Sequence, residues 1–238
     1  MLQALFFNPF YNALIFLAAV LPGNDVGFAI ILLTLAVKGI LAPLSHSSLL
    51  AQRKMRELEP KLKELKSKHK DQNEQALKMM ELYREHGVNP FSSLMVMLVQ
   101  IPIIFGLYFV FQAGIDLASP ALYAFTPRPE SINTVFLGLV NLAEPSWVLA
   151  GIAAITQFFQ TQLAVPPVPK AKDGEESTFQ EEFARSMSFQ ARFILPIFIF
   201  FISFKLQAAL PLYWATSNLF GIAHELYIRR EAQKISHS

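Results

Sequence analysis

The chain has no cysteine and few charged residues: none of its 238 residues is Cys, and only 16% are Asp, Glu, Lys or Arg. The absence of cysteine excludes disulfide bonds, thiolate metal sites and a lipid-modified N-terminal cysteine. A low charge content together with 53% hydrophobic residues is typical of a protein that is surrounded by lipid. We therefore predict an all-α integral membrane protein.

The sequence also lacks the usual motifs of catalytic and cofactor sites. It contains no GxSxG motif for a serine nucleophile and no glycine-rich phosphate loop. The pair His224 and Glu225 lacks the second histidine of an HExxH zinc site, and the histidines as a group have no metal-ligand spacing. Lys38 and Ser45 lie two helical turns apart, which does not suit a catalytic dyad. We expect a protein that is not an enzyme and binds neither a metal nor a cofactor.

Apolar segments of the chain are long enough to cross a bilayer, for which a helix needs about 20 residues. Five such segments are residues 27–48, 91–113, 147–165, 189–206 and 208–227. A weaker sixth segment, residues 1–22, is interrupted by polar residues. Asn8 and Asn12 share a helical face opposite Leu17, which favours an amphipathic helix lying in the outer membrane interface. A helix that crosses the membrane is the alternative for this segment.

Basic residues are distributed unevenly along the chain. None precedes Lys38, ten lie in residues 53–84, and only Arg128 lies in the next loop. The positive-inside rule therefore places residues 53–84, residues 166–192 and the C-terminus in the cytoplasm. The same rule leaves the N-terminus outside.

The cytoplasmic segment 50–89 differs in character from the spans. Its apolar residues recur every three or four positions on both sides of a polar stretch, which predicts two amphipathic helices folded back as a hairpin. Pro60 is expected to kink the first of these helices. Asn89 and Pro90 are expected to begin the second span as its N-cap and first helical residue.

The predicted organisation has three parts and no large soluble domain. Residues 1–22 form the helix in the outer interface. Residues 23–230 form a five-helix core that includes the cytoplasmic hairpin. Residues 231–238 form a short cytoplasmic tail.

Lys38 lies near the middle of the first predicted span. A positive charge at the bilayer centre costs about 2.5–3.5 kcal/mol on insertion scales, so its presence there indicates water, a partner or a function. Snorkelling of the side chain toward the interface is the alternative.

Polar side chains on four of the five spans lie between the bilayer centre and the cytoplasmic side. They are Thr34 and Lys38 in the first span, Gln100 in the second, Gln157 and Gln160 in the third, and Tyr213, Trp214 and Asn218 in the fifth. We predict that they line a water-containing cavity that is open to the cytoplasm and closed toward the outside. Interhelical hydrogen bonds worth about 0.6 kcal/mol each are an alternative role for the amides and hydroxyls. A channel or small-solute carrier is the alternative function.

Four segments follow one another along the chain: AVKGILAPLSHSSLLAQRKM, VNPFSSLMVMLVQIPIIFGLYF, AITQFFQTQL and ALPLYWATSNLF. Together they resemble the YidC/Oxa/Alb family of membrane-protein insertases, over about residues 6–228. The resemblance implies a five-helix core, a cytoplasmic helical hairpin after the first helix and an external amphipathic helix before it. It also implies the short bacterial form of this family, in the bacterial inner membrane.

The resemblance further implies a membrane-protein insertase and chaperone. Its hydrophilic groove, open to the cytoplasm and lipid, would receive the polar tail of a nascent membrane protein and release its apolar helix into the bilayer without ATP. Lys38 matches the positive groove residue, which is arginine in most members, and Gln100, Gln157, Tyr213 and Trp214 match other groove positions. The implied partners are nascent membrane proteins and membrane lipids, with the Sec translocase and the ribosome as further candidates. DNA is not expected.

Overall fold

The computed structural model describes residues 7–69, 71–165 and 179–236, and these residues are mostly helical. The helices are α1 (Asn8–Val20), α2 (Val26–Glu57), α3 (Glu59–Lys68), α4 (Gln72–Glu85), α5 (Ser92–Ala113), α6 (Trp147–Ala164), α7 (Phe179–Phe189), α8 (Leu195–Lys205) and α9 (Ala209–Ser236). Two short strands are β1 (Val135–Phe136) and β2 (Val140–Asn141), and a π-helical turn (Gln190–Ile194) joins α7 to α8. The chain divides into two compact units, Met1–Lys38 with Phe105–Ser238, and Gly39–Ile104.

Three helices in the described part of the chain could cross a membrane by their length and composition: Val26–Glu57, Leu94–Ala113 and Arg185–Lys205. They coincide with three of the five predicted spans. The other two predicted spans, 147–165 and 208–227, correspond to α6 and α9. These two segments are helical as predicted, but they carry more polar residues, and their crossing of the membrane stays a prediction.

The polar face of α1 packs against the protein. Asn12 is buried, and its side-chain oxygen accepts hydrogen bonds from Tyr123 N at 2.7 Å and from the Thr126 hydroxyl at 2.6 Å. Its side-chain nitrogen donates to the carbonyl oxygens of Asn8 and Ala121, both at 2.8 Å. The Asn12 amide, on the polar face of α1, therefore forms its hydrogen bonds within the protein. These bonds explain why a polar residue stands at this position of the helix.

A second contact joins α1 to the same loop. The buried Tyr11 hydroxyl donates to Asp116 O at 2.6 Å and accepts from Asp116 N at 2.8 Å. Leu14 and Ile15 are fully buried beside these polar contacts. Residues 1–6 of the predicted interfacial helix lie outside the described residues, and the location of α1 in the membrane interface stays a prediction.

The segment between α5 and α6 contains a β-hairpin that the apolar pattern does not predict. Just before β1, Asn133 O accepts from Val26 N and Asn133 N donates to Asn24 O, both at 3.0 Å. After β2, Glu144 O accepts from Ala208 N at 2.8 Å, in the connection between α8 and α9. The hairpin segment thus bonds to the chain at the N-terminal ends of α2 and α9 and leads directly into α6. These three helix ends lie at the predicted outer side.

The unit Gly39–Ile104 contains the contact between α3 and α4. Leu58 and Tyr83 are buried there, with Met55 and Leu62 packed against them. Burial raises the pKa of the Tyr83 hydroxyl above its ordinary value. The periodic apolar residues of the predicted hairpin therefore do meet, as their spacing indicates.

Two local expectations in this unit concern helix boundaries. The helix that the apolar pattern predicts is interrupted just before Pro60, because α2 ends at Glu57 and α3 begins at Glu59. Pro60 lies in the first turn of α3, where its missing N–H needs no partner. Asn89 does not cap α5 directly. Its Oδ1 accepts from Phe91 N at 2.9 Å in a turn, and the helix begins afterwards at Ser92.

We predict that Gly27→Ala destabilises the protein whereas Gly39→Ala, in the same helix, does not. A Cβ on Gly27 would lie 2.1 Å from Cδ2 of Phe136, while a Cβ on Gly39 meets no described atom within 4 Å. The Phe136 ring also packs edge-on against Phe28, with centroids 5.4 Å apart, so its displacement would disturb that contact. We expect a loss of about 1–3 kcal/mol at position 27 and a gain of up to about 1 kcal/mol at position 39. Thermal unfolding midpoints in detergent measure both effects, and equal midpoints for the two variants would contradict this packing.

Candidate functional site

The predicted polar residues of α6 and α9 lie on two helices that pack together. Asn218 is buried, and its Nδ2 donates to Ala153 O at 3.4 Å and to the Thr156 hydroxyl at 3.3 Å. The Thr156 hydroxyl itself donates to Ile152 O at 2.8 Å. These bonds join the two helices, and they remove from lipid the polar groups that would otherwise be exposed to it.

Gln160 lies against α9 one turn further along α6. A Cβ on Gly221 would be 2.7 Å from the Gln160 Nε2 atom, so this amide occupies the space that a side chain at position 221 would need. Gln157 and Gln160 are both half-buried. The two amides therefore stay partly accessible, next to the buried contact made by Asn218.

The aromatic residues near the start of α9 differ in exposure. Tyr213 is buried, with 2% of its surface exposed, whereas Trp214 is half-buried. The nearby Thr216 hydroxyl donates to Leu212 O at 2.8 Å within the helix. Of the two aromatic residues, Trp214 is therefore the one with surface available for a bound chain.

Lys38 and Thr34 lie on the same side of α2 as the buried residue Ile30, because residues four apart share a helical face. Thr34 is buried, and its hydroxyl donates to Ile30 O at 2.6 Å. Lys38 is half-buried, whereas Leu32 and Leu35, on other sides of the helix, are exposed. Lys38 thus projects from the side of α2 that carries the buried residues.

Gln100 is half-buried in α5 and belongs to the compact unit Gly39–Ile104. Its place beside the other predicted groove residues stays a prediction. The contacts that the structure does give are Asn218 with Thr156 and Gln160 with Gly221. Both are contacts between α6 and α9.

Two arginines from other elements contact the C-terminal end of α6, and the sequence pattern did not reveal these contacts. Arg229 Nη2 donates to Leu163 O at 2.5 Å, and its Nε lies 3.0 Å from Oε1 of the buried Glu225. Arg192, on the turn before α8, donates to the Gln162 side-chain oxygen. Both guanidinium groups lie where the helix dipole favours positive charge. The four-residue spacing of Glu225 and Arg229 is a signal that could have indicated their pair.

Comparison with known sequences gives a family match over most of the chain. The family described as the 60Kd inner membrane protein matches residues 16–235. The membrane protein insertase YidC of Neisseria gonorrhoeae is 33% identical over 210 residues, which are 87% of this chain and 33% of the relative. The membrane protein insertase YidC of Clostridium tetani is 32% identical over 217 residues, which are 90% of this chain and 86% of the relative. The chain thus spans about one third of the Neisseria relative and most of the Clostridium relative.

A solved structure is also similar to this fold. It is the crystal structure of an active YidC insertase with its first transmembrane domain resolved, with a TM-score of 0.56 and 25% sequence identity. The similarity covers 93% of this chain and 45% of that chain. It supports the helical arrangement described above.

We predict that Gly221→Leu weakens the contact between α6 and α9, whereas Gly151→Leu, in α6, does not. A side chain at position 221 collides with the Gln160 amide, while a Cβ on Gly151 meets no described atom within 4 Å. The expected loss is about 1–3 kcal/mol. The double variant Gly221→Leu, Gln160→Ala should recover much of it, because the colliding amide is gone. Thermal unfolding in detergent measures all four proteins, and a double variant no more stable than Gly221→Leu would count against this contact.

Proposed function

The chain belongs to the 60Kd inner membrane protein family, and on this basis we propose that it is an insertase that brings nascent membrane proteins into the lipid bilayer. It is a multi-pass protein of the bacterial inner membrane, as its apolar helices and bacterial relatives indicate. The observation that carries the proposal is the extent of the family match, since residues 16–235 include every predicted groove residue.

The groove of this insertase is open to the cytoplasm and to lipid. Its accessible lining consists of the half-buried polar side chains Lys38, Gln157, Gln160 and Trp214. Gln100, half-buried in the other compact unit, stays a predicted member of it. The buried side chains of Thr34 and Asn218 hold hydrogen bonds within and between helices and do not contact the substrate. Tyr213, also buried, supports the helix that carries the half-buried Trp214.

The outer end of the groove is sealed by α1, the loop that follows α5 and the β-hairpin. This role is supported by their hydrogen bonds: Asn12 bonds the loop at Ala121, Tyr123 and Thr126, and Asn133 bonds the start of α2. A polar tail that enters from the cytoplasm therefore crosses only the remaining outer part of the membrane.

Lys38 attracts acidic groups on the substrate tail. Two opposite charges 4 Å apart gain about 4 kcal/mol at an effective dielectric constant of about 20. This attraction places the tail in the groove while its apolar helix lies beside lipid. Burial of that helix in lipid, at roughly 25 cal/mol per Å² of apolar surface, drives release without ATP, and the groove shields the helix as a chaperone until then.

Five helices cross the membrane in this arrangement, namely α2, α5, α6, α8 with the turn before it, and α9. The polar content of α6 and α9 is compatible with crossing, because Asn218 and Thr156 are bonded to each other inside the protein. The N-terminus lies outside and the C-terminus in the cytoplasm. The helices α3 and α4 lie in the cytoplasm, where the ribosome or the Sec translocase can reach them.

Replacement of Lys38 tests whether its positive charge promotes insertion. We expect Lys38→Ala to lower insertion of a single-span protein with a short acidic outer tail by about tenfold, the equivalent of about 1.4 kcal/mol, and Lys38→Arg to preserve it. Lys205→Ala, at an exposed lysine at the end of α8, is the matched control and should insert normally. The assay is protease protection of the substrate in proteoliposomes. Equal insertion by the Ala and Arg variants of Lys38 would show that the positive charge has no role in insertion.

Photocrosslinking tests the location of the groove. A photoreactive residue at Gln157 or Trp214 should capture a stalled nascent membrane protein, because both positions are partly accessible on the proposed lining. The controls are Ile152 in α6 and Leu219 in α9, which are exposed on the same two helices and should capture lipid instead. Capture at the control positions alone would contradict this location of the groove. Ion or solute flux without any capture would favour a channel or carrier over an insertase.

A further inference from the structure

A groove lined only by apolar side chains lies between α6 and α8, apart from the polar residues of the proposed insertion site. Its volume is about 440 Å³. Ala154 and Phe158 line it from α6, and Pro196 and Phe200 line it from α8. These two helices pack directly on each other, so the groove is a permanent feature of their contact.

One end of this groove carries a positive charge. Phe158, in the groove wall, packs against Phe193 with ring centroids 6.1 Å apart, and the Arg192 guanidinium lies 5.7 Å from the centre of the Phe193 ring. Arg192 also donates to the Gln162 side chain, one helical turn beyond Phe158. The apolar groove therefore ends at Phe158, about one helical turn from the cation at Gln162.

The polar end of the groove has donors available to an anion. Among the described residues, Arg192 forms no ion pair, in contrast to Arg229, which pairs with Glu225. The Nε atom of Arg192 and the Nε2 atom of Gln162 are buried and have no acceptor within the described part of the chain. Buried donors of this kind are costly unless an acceptor reaches them, and a phosphate group offers several acceptor oxygens to a guanidinium.

We propose that this groove binds an anionic glycerophospholipid, with one acyl chain between α6 and α8 and its phosphate at Arg192 and Gln162. The inference rests on the proposed membrane crossing of α6. The charge lies at the end of the groove that faces the cytoplasm in that arrangement, which is where the headgroups of the inner leaflet lie. An acyl chain then extends from Phe158 toward Ala154 and Phe200, in the direction of the bilayer centre.

The size of the groove excludes a substrate helix as its occupant. An α-helix with its side chains is about 10–12 Å across, so even a 10 Å length of helix fills roughly 800–1,100 Å³. The groove offers about 440 Å³. A single flexible hydrocarbon chain matches both this volume and the apolar lining.

Native mass spectrometry of the purified protein tests the proposal, with phosphatidylglycerol and phosphatidylcholine of identical acyl chains as probes. We expect the wild type to prefer phosphatidylglycerol, and Arg192→Gln to weaken phosphatidylglycerol binding about tenfold, as expected for loss of one charge contact. Arg192→Lys should keep the preference. Ala154→Trp fills the groove and should abolish specific binding of both lipids. Lys205→Gln, at the exposed cation on the other end of α8, is the matched control and should bind like the wild type.

Equal binding of the two lipids by the wild type would overturn the proposal without any variant. Unchanged phosphatidylglycerol binding by correctly folded Arg192→Gln and Ala154→Trp proteins would overturn it as well. Crosslinking of a substrate helix from Ile197 that displaces the bound lipid would assign the groove to substrate instead. Because lipid binding is measured without a substrate, its loss or retention is independent of insertion, which the Lys38 variants report separately.

Discussion

The polar residues of α6 and α9 must be satisfied inside the protein if these helices are to cross lipid, and the rest of the arrangement depends on this requirement. Asn218 meets it by donating to Ala153 O and to the Thr156 hydroxyl on the facing helix. Gly221 leaves space for the Gln160 amide beside α9. These contacts fix how α6 and α9 pack, and this packing in turn determines which neighbouring side chains remain accessible.

The end of the molecule at which α2, α6 and α9 begin is stabilised differently. There backbone bonds join distant segments: Asn133 pairs with Asn24 and Val26 at the start of α2, and Ala208 bonds back to Glu144. The Asn12 side chain completes this end, because its oxygen and nitrogen both bond the loop after α5. In the proposed function this bonded end seals the outer side of the groove, whereas a through-channel would need an opening there.

The sequence predicts the helices well and the contacts between them poorly. Long apolar runs and the three- to four-residue spacing of Met55, Leu58 and Leu62 are local signals, and the structure follows them. The β-hairpin depends on pairing with distant residues, so its two-residue strands leave no periodic pattern to detect. The same holds for Asn12, whose partners lie more than a hundred residues away along the chain. Of the predicted groove residues, half-buried Gln157 and Trp214 are compatible with an accessible lining. Asn218 and Thr34 are buried and hydrogen-bonded within the protein, and their place in the groove stays a prediction.

The difference between buried and half-buried polar groups explains how one helix can both cross lipid and serve a substrate. The hydroxyl of Thr34 is satisfied by a carbonyl oxygen of its own helix. A lysine differs from it, because its ammonium group carries three donors and a full charge at the end of a four-carbon stem. Lys38 emerges one turn after Thr34 on the side of α2 that carries the buried residues. A point charge on a flexible stem also suits substrates whose acidic groups differ in position, since it imposes no fixed bidentate geometry of the kind arginine prefers.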